Sequence, residues 1–274
     1  MSQPDVAPVE VEIRGLHKAF DGRPVLRGVD LTIRRGEMVA VVGASGCGKT
    51  VLLKHITGHL TPDAGTVRVA DHERPGSPLR DLSTLTPEAM DEIRRHWAVV
   101  FQRNALLSGT VLHNLAFWPR EIKRMSDEHI RPLARRALEQ VGLDPDAVLG
   151  RDREALSGGM AKRVAIARAL VMDPVLIMYD EPTAGLDPEM CGQIHALIAQ
   201  THESRPGLGV ARTSIIITHD TELLRALRPR VVMLHAGLVH FDGSFEAFLG
   251  SDDAHIIPYL RQMPVLQDRD RANV

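Results

Sequence analysis

Apolar and polar side chains alternate in two stretches near the beginning of the chain, at residues 9–13 and 29–33. Alternation is typical of strands that bury one face, because successive side chains of a strand point to opposite sides. The Asp21-Gly22 pair lies between the two stretches and favours a tight turn. We therefore predict an antiparallel pair of strands, followed by a turn at 61–65 and a further strand at 66–69.

Three later apolar runs show no alternation, at residues 39–42, 175–179 and 215–217. Continuous apolar runs are typical of parallel strands that are covered on both faces. Residues 97–101 are a further candidate for a buried strand. The sequence therefore predicts an α/β protein with a parallel sheet at its core, which a hairpin at 230–241 closes.

Helical signals replace this pattern between residues 103 and 170. Helices are predicted at 111–117, at 127–141 between a Ser126 cap and Gly142, and at 160–171. Because this block interrupts the α/β pattern, it is predicted to be an inserted α-helical subdomain.

The remaining segments complete the predicted domain. Residues 71–85 are rich in Pro, Gly, Ser and charged residues, which predicts a surface loop. A helix is expected at 87–95, with Thr86 as its N-cap. In the helix at 160–171, the apolar positions are Val164, Ile166, Ala167 and Leu170, and the charged ones are Lys162, Arg163 and Arg168. We expect one domain over 9–250 and a C-terminal tail over 251–274.

The strand at 39–42 ends in the pattern G-x-x-x-x-G-K-[ST], at Gly43–Thr50, and a helical pattern follows. Glycines at these positions let backbone N–H groups approach phosphate oxygens, and the positive end of the following helix points at the same phosphates. This chemistry indicates a nucleoside triphosphate site. The residues expected to bind the nucleotide are Gly43, Ala44, Ser45, Gly46, Cys47, Gly48, Lys49, Thr50 and Val51.

Carboxylates and a histidine follow two of the predicted parallel strands. Asp180-Glu181 comes directly after one, and His219 after another. Carboxyl ends of parallel strands meet at one edge of a sheet, where ligands bind. We expect Asp180 to act in holding Mg²⁺, Glu181 to activate water and His219 to reach the terminal phosphate.

A second Ser-Gly turn precedes a helix at Leu156–Met160. A helix N-terminus with small residues can bind an anion, although the segment has no lysine comparable to Lys49. A purely structural capping motif is the alternative for this segment alone.

Together these segments resemble the nucleotide-binding subunits of ATP-binding-cassette (ABC) transporters, over residues 9–250. The matching segments occur in the family's order. They are the Walker A loop (Gly43–Thr50), the Q-loop (Phe101-Gln102), the signature motif (Leu156–Met160), the Walker B strand (Leu176–Glu181), the D-loop (Ala184–Asp187) and the switch histidine (His219).

This resemblance implies a RecA-like phosphate-loop core that hydrolyses ATP with Mg²⁺, in a head-to-tail dimer of two copies. Phe20 would stack on adenine, Lys49 would bind phosphate and Glu181 would be the general base. Thr50, Gln102 and Asp180 would form the Mg²⁺ site. From the second copy would come Ser157, Gly158, Gly159 and Asp187.

Two departures from the frequent pattern, Val51 and Met160, resemble the Mla/MCE-type lipid-transport ATPases. This resemblance implies an integral-membrane permease contacted by residues 103–170, an MCE substrate-binding subunit and a location at the cytoplasmic face of the inner membrane. Residues 106–111 resemble amino-acid importers instead. Another ABC importer or exporter, for amino acids, metals or lipoproteins, is therefore the alternative within the class.

Composition narrows these alternatives. The chain has 274 residues, 44% of them hydrophobic, and a formal net charge of −2, which gives no reason to expect a nucleic-acid partner. A soluble ABC ATPase of translation or DNA repair would need a second cassette or a long coiled-coil insertion, and the sequence shows neither. The two cysteines are too few for a disulfide framework. Neither a signal peptide nor an apolar run of the roughly eighteen residues that span a bilayer is recognisable.

Overall fold

The computed structural model describes residues 7–204 and 211–261. The end of the predicted tail, from 262 onward, lies outside the described residues. The strands are β1 (Val9–Phe20), β2 (Arg23–Arg34), β3 (Met38–Val42), β4 (Ala64–Val69), β5 (Arg80–Asp81), β6 (Trp97–Val100), β7 (Leu176–Asp180), β8 (Thr213–Ile217), β9 (Arg230–His235) and β10 (Leu238–Gly243). The helices are α1 (Lys49–Ile56), α2 (Pro87–Arg94), α3 (Val111–Lys123), α4 (Asp127–Gln140), α5 (Pro145–Val148), α6 (Gly158–Leu170), α7 (Pro188–Glu203), α8 (Thr221–Leu227), α9 (Phe245–Leu249) and α10 (Ile256–Arg261).

Strands β2, β1, β4 and β5 form an antiparallel sheet in that order. The predicted alternation holds in β2, where Val29, Leu31 and Ile33 are buried and Asp30 is exposed. In β1 it is wrong at Glu10, which is buried beside Val11 because its carboxylate pairs with His72 and Arg35. Asp21 and Gly22 form the hairpin turn with φ angles of 50° and 75°, so the prediction of an antiparallel pair is confirmed.

The second sheet has the order β10-β9-β3-β8-β7-β6. Its strands are parallel except for β10, which pairs with β9 as the closing hairpin that the sequence predicts. Strand β3 lies between β8 and β9, and Val39–Val42 are at most 1% exposed. The unbroken apolar run is therefore explained by burial on both faces.

Helices α3, α4, α5 and α6 form the inserted helical layer, which shares a core with β7 and α7. Helix α3 runs six residues beyond the predicted end at Phe117, because Pro119 is accommodated inside it. Helix α6 begins at Gly158, two residues earlier than predicted, because the Ser157 hydroxyl accepts a hydrogen bond from the Met160 N–H at 3.2 Å.

Two predicted peripheral segments contain more structure than expected. The surface loop predicted at 71–85 is wrong in its second half, where β5 pairs with β4 and Leu82 is buried. Near the carboxyl end, α10 inserts Ile256 and Tyr259 into a core cluster beside Val42 of β3. A short helix thus covers the strand that leads into the phosphate loop.

Candidate active site

The phosphate loop connects β3 to α1, and its backbone needs glycine at two points. At Gly43, with φ 140°, a Cβ would lie 2.3 Å from the Leu234 carbonyl oxygen of β9. At Gly48, with φ 107°, it would lie 2.7 Å from Cδ2 of Leu26 on β2. A larger residue at Gly43 would therefore displace the loop from β9, and at Gly48 it would be strained by the positive φ.

Lys49, the first residue of α1, folds back over this loop. Its Nζ donates hydrogen bonds to the carbonyl oxygens of Gly43 at 2.6 Å and Ala44 at 3.1 Å. The first turn of α1 contains no acidic residue, and its N-cap, Gly48, offers no side-chain hydrogen bond. The helix thus presents uncapped N–H groups and a cation at one point, which is what a phosphate chain requires.

The acidic pair lies at the end of β7, two strands from β3. Glu181 has a φ of 48°, and its backbone N–H donates to the Ile217 carbonyl of β8 at 2.9 Å. Burial, reinforced by the Glu181 charge, raises the pKa of Asp180, whereas Lys49 and Lys162 act in the opposite direction. Asp180 therefore lies within the electrostatic field of the phosphate-loop lysine.

His219 follows β8, the neighbour of β7, and meets Glu181. Its Nδ1 lies 2.8 Å from Oε2 of Glu181, and its backbone N–H is 3.4 Å from the same oxygen. The Glu181 side chain is 14% exposed, and that of His219 is 69% exposed. The structure therefore brings these two predicted residues into direct contact, with the imidazole facing solvent.

Behind this pair lies a network that the sequence reasoning missed. Asp220 accepts hydrogen bonds from Thr183 Oγ1 at 2.7 Å and from His195 Nε2 at 2.9 Å, and it caps α8 through the Leu223 N–H at 3.0 Å. Burial alone raises the pKa of Asp220, but the His195 and Thr183 hydrogen bonds overcome this effect and lower it to about 2. The helix-capping pattern Asp-Thr-Glu-Leu after the strand was the available signal.

The other predicted residues of this chain lie in several different elements. Thr50 and Gln102 are exposed, the first in α1 and the second just beyond β6. Phe20 lies at the tip of the β1–β2 hairpin, 41% exposed, with the Lys18 ammonium 5.6 Å from its ring centroid. Cys47 Sγ is 4.0 Å from the Lys49 ammonium.

The residues expected to act from a second copy all lie at helix starts. Ser157 caps α6, while Asp187 caps α7 and accepts from the Met190 N–H at 2.9 Å. Ser157, Gly158 and Asp187 are exposed, and Gly159 is buried beneath Met190. Within the described residues, no hydrogen bond or ion pair joins these side chains to the phosphate loop.

These elements match a known protein family. The model of the ABC transporter family matches residues 26–184. The chain belongs to this family. As an ABC cassette it is an ATPase that is coupled to transport, and the nucleotide it binds is ATP.

Relatives within the ABC family serve different cargoes. The chain is 35% identical over 245 residues to the histidine transport ATP-binding protein HisP of Pseudomonas aeruginosa. This alignment covers 88% of this chain and 93% of HisP. It is 32% identical over 252 residues to the intermembrane phospholipid transport ATP-binding protein MlaF of Haemophilus influenzae, and the alignment covers 92% of this chain and 90% of MlaF.

A solved cassette extends the similarity to three dimensions. The dimeric post-hydrolysis structure of the ATP-binding cassette MJ0796, bound to ADP and Pi, superposes with a TM-score of 0.71 and 29% identity, over 86% of this chain and 98% of that one. The predicted fold class, a RecA-like phosphate-loop core with an antiparallel β subdomain and an inserted helical subdomain, is thereby confirmed. None of the helices in the described part of the chain is long and apolar enough to cross a bilayer.

Proposed function

We propose that this ABC cassette works as a head-to-tail dimer beneath a membrane permease and couples Mg²⁺-dependent ATP hydrolysis to the movement of a phospholipid or related hydrophobic molecule. The observation that carries the catalytic part is the contact between His219 and Glu181 at 2.8 Å. It lies at the same sheet edge as the phosphate loop, where ligands of open α/β sheets bind.

In this proposal Glu181 is the general base. Its Oε2 accepts a proton from the attacking water, and His219 Nδ1 fixes the orientation of that oxygen. Lys49 exchanges the carbonyls of Gly43 and Ala44 for phosphate oxygens, which keeps its ammonium hydrogen-bonded throughout. Phe20 offers its exposed ring to adenine.

The proposed Mg²⁺ ligands are Thr50, Gln102 and Asp180. Hydroxyl, amide and carboxylate oxygens suit this hard cation, which keeps part of its water shell rather than filling an all-protein cage. When bound, the ion would neutralise part of the negative charge of the phosphates.

The second copy is proposed to complete each site. Its Ser157, Gly158 and Gly159 would present the N-terminus of α6 to the ATP held by the first copy, and Asp187 would lie at the dimer contact. Exposure of Ser157, Gly158 and Asp187 supports this arrangement, as does the dimeric state of the MJ0796 cassette.

The permease is proposed to bind where the helical layer meets the core. A groove of about 430 Å³ lies there, lined by Trp97, Phe101, Phe117, Trp118, Ile122 and Met178. Phe101 and Trp118 are each 45% exposed. Such a concentration of exposed aromatic side chains is typical of a surface that a partner covers. Contact there would hold the protein at the cytoplasmic face of the membrane.

The proposed lipid cargo is supported by Val51 and Met160, by the resemblance of residues 157–163 to the Mla/MCE-type ATPases, and by the similarity to MlaF. An MCE subunit would then be a further partner. Amino-acid import is the second candidate, because residues 106–111 resemble amino-acid importers and the identity to HisP is similar in extent.

Purification of the tagged protein from detergent-solubilised membranes tests this proposal. We expect an integral-membrane permease to co-purify, and proteoliposomes of the complex to move fluorescent phospholipid only with hydrolysable ATP. ATP-driven uptake of labelled histidine without lipid movement would favour amino-acid import instead. Recovery of ribosomes or DNA in place of a permease would contradict the transporter assignment.

A further inference from the structure

Lys162 is a charged residue in the interior of the protein. It lies in α6, one turn after Gly158, and is only 1% exposed. An ammonium group is costly to bury unless hydrogen bonds compensate for the lost water, so its position requires an explanation.

The explanation is a pair of hydrogen bonds that leave the helical layer. Nζ of Lys162 donates to the carbonyl oxygens of Phe101 at 3.2 Å and of Gln102 at 3.1 Å. Both carbonyls belong to the loop that leaves β6, so a side chain of α6 holds the backbone of the core at Gln102. Burial lowers the pKa of Lys162, and the Asp180 carboxylate opposes this effect by favouring the charged form.

The rest of the same loop is held by other side chains of the helical layer. Arg168, also in α6, donates to the carbonyls of Ala105 at 2.8 Å and Asn104 at 3.3 Å. Arg153 donates to the Leu106 carbonyl at 2.7 Å. Lys162 differs from these two residues because it binds at Gln102 itself and lies within the field of Asp180.

We propose that Lys162 is a positioning residue, whose ammonium joins the helix of the signature motif to the backbone at Gln102 and so sets where the Gln102 side chain stands relative to Asp180. This inference rests on the role in Mg²⁺ binding that Gln102 has under the proposed function. Since Ser157 begins the helix that carries Lys162, a shift of this helix would displace Gln102 directly.

Two substitutions separate hydrogen bonding from charge. Lys162→Met keeps the length of the side chain but leaves both carbonyls without a donor. Lys162→Gln keeps an amide that can donate to one or both of them. Arg168→Gln is the matched control: the Gln amide is too short to replace the guanidinium, so it loosens the same loop from the same helix but away from Gln102.

For the purified dimer we expect Lys162→Met to lower kcat about tenfold or more and to raise the Mg²⁺ concentration for half-maximal ATPase activity, while KM for ATP changes by less than about threefold. Lys162→Gln should recover most of this loss. The kcat of Arg168→Gln should stay within about twofold of wild type. If any loosening of the loop were enough to lower kcat, this variant would lose activity as well.

Hydrogen exchange of the nucleotide-free protein gives a readout that is independent of activity. We expect faster exchange of backbone amides within residues 101–103 in Lys162→Met than in wild type, with α6 itself still protected. Unchanged exchange there, or a kcat within about twofold of wild type, would overturn the inference, as would equal losses in Lys162→Met and Arg168→Gln.

Gln102→Ala distinguishes this inference from the function on which it rests. If Gln102→Ala leaves the Mg²⁺ dependence unchanged, Gln102 is not a Mg²⁺ ligand and that part of the proposed function fails. Faster exchange at 101–103 in Lys162→Met would then still show that the side chain holds the loop. A normal Mg²⁺ dependence in Lys162→Met, combined with an altered one in Gln102→Ala, would overturn the positioning role alone.

Discussion

The edge of the parallel sheet and the start of α6 are built on different principles. At the sheet edge, β3, β7 and β8 end side by side and deliver Lys49, Glu181 and His219 into one region of a single chain. At the start of α6, Ser157 caps its own helix and faces outward. The first region is held by contacts within the chain, whereas in the described residues the Ser157 side chain contacts only its own helix and no part of the phosphate loop.

The positions of the side chains are therefore set in different ways in the two regions. The ends of adjacent parallel strands are fixed by their ladder hydrogen bonds, so the side chains that follow them inherit their spacing from the sheet. The start of α6 inherits only a helix direction. Under the proposed function, its position relative to the phosphates would be set by the second copy and by links such as Lys162 to the core.

The largest expected effect belongs to the sheet edge. Glu181→Gln removes the proposed proton acceptor but keeps the size of the side chain, so kcat should fall by about 10²-fold or more with ATP binding retained. Steady-state ATPase assays and a fluorescent-nucleotide titration measure the two quantities. Glu189→Gln, at an exposed position in the first turn of α7, is the control and should leave kcat unchanged. A Glu181→Gln enzyme within a few-fold of wild type would show that another group accepts the proton.

Mixing two inactive proteins tests whether the two regions belong to different chains. Lys49→Ala damages the phosphate loop, and Ser157→Asp keeps a good N-cap while placing a negative charge where phosphate is expected. In a head-to-tail dimer the mixed pair has one intact site, so random pairing should restore about one quarter of the sites. ATPase assays of the separate and mixed proteins measure this.

The control is a second mixture, of the Lys49→Ala protein with a protein that carries only Glu181→Gln. Both changes lie at the sheet edge of their own chain, so neither site of the mixed dimer is intact and no activity should return. Recovery in this control, or its absence with Ser157→Asp, would contradict a site shared between two copies.

Acid should weaken the network behind the sheet edge. The pKa of Asp220 in the folded protein is about 2, below its ordinary value of 3.8, so its contribution to stability is complete above about pH 4 and is lost as pH falls towards 2. Asp220→Asn should lower the free energy of unfolding at pH 7 by roughly 2 kcal/mol and flatten its decline below pH 4.

Denaturant unfolding at several pH values measures the Asp220 effect. Asp146→Asn is the control, because Asp146 pairs with Arg135 on the surface, where ion pairs contribute little. A decline below pH 4 as steep in Asp220→Asn as in wild type would show that other carboxylates cause it.

The smallest expected effect is at the hairpin tip, which belongs to neither region. Phe20→Ala should raise KM for ATP about threefold to tenfold through lost stacking, with kcat nearly unchanged. Since the ring is 41% exposed, thermal stability should change little. Phe20→Tyr keeps the ring and should restore KM; a KM that stays normal in Phe20→Ala would exclude adenine stacking there.

The sheet edge could be predicted from sequence because its signals are local. Gly43 and Gly48 mark backbone that only glycine adopts, and the apolar runs before Asp180 and His219 mark parallel strands. The antiparallel hairpin was equally recognisable from alternation and the Asp21-Gly22 turn. In each case neighbouring residues carry the whole signal.

What could not be predicted depends on residues distant in the chain. Lys162 was recognised only as a charged position of its helix, since periodicity does not show that a loop carbonyl 60 residues earlier would bind its ammonium. The same holds for Asp220, whose partner Thr183 lies 37 residues earlier. Helix α10 was missed because its six residues are too few for a periodic pattern.

The strand order also determines when a newly made chain becomes functional. Strand β3 leaves the ribosome early, but the strands on both of its sides, β8 and β9, follow only about 170 residues later. At usual rates of synthesis this interval lasts roughly ten to thirty seconds. During that time the phosphate loop lacks the Leu234 carbonyl against which Gly43 packs. We therefore expect interrupted synthesis to yield fragments without ATPase activity.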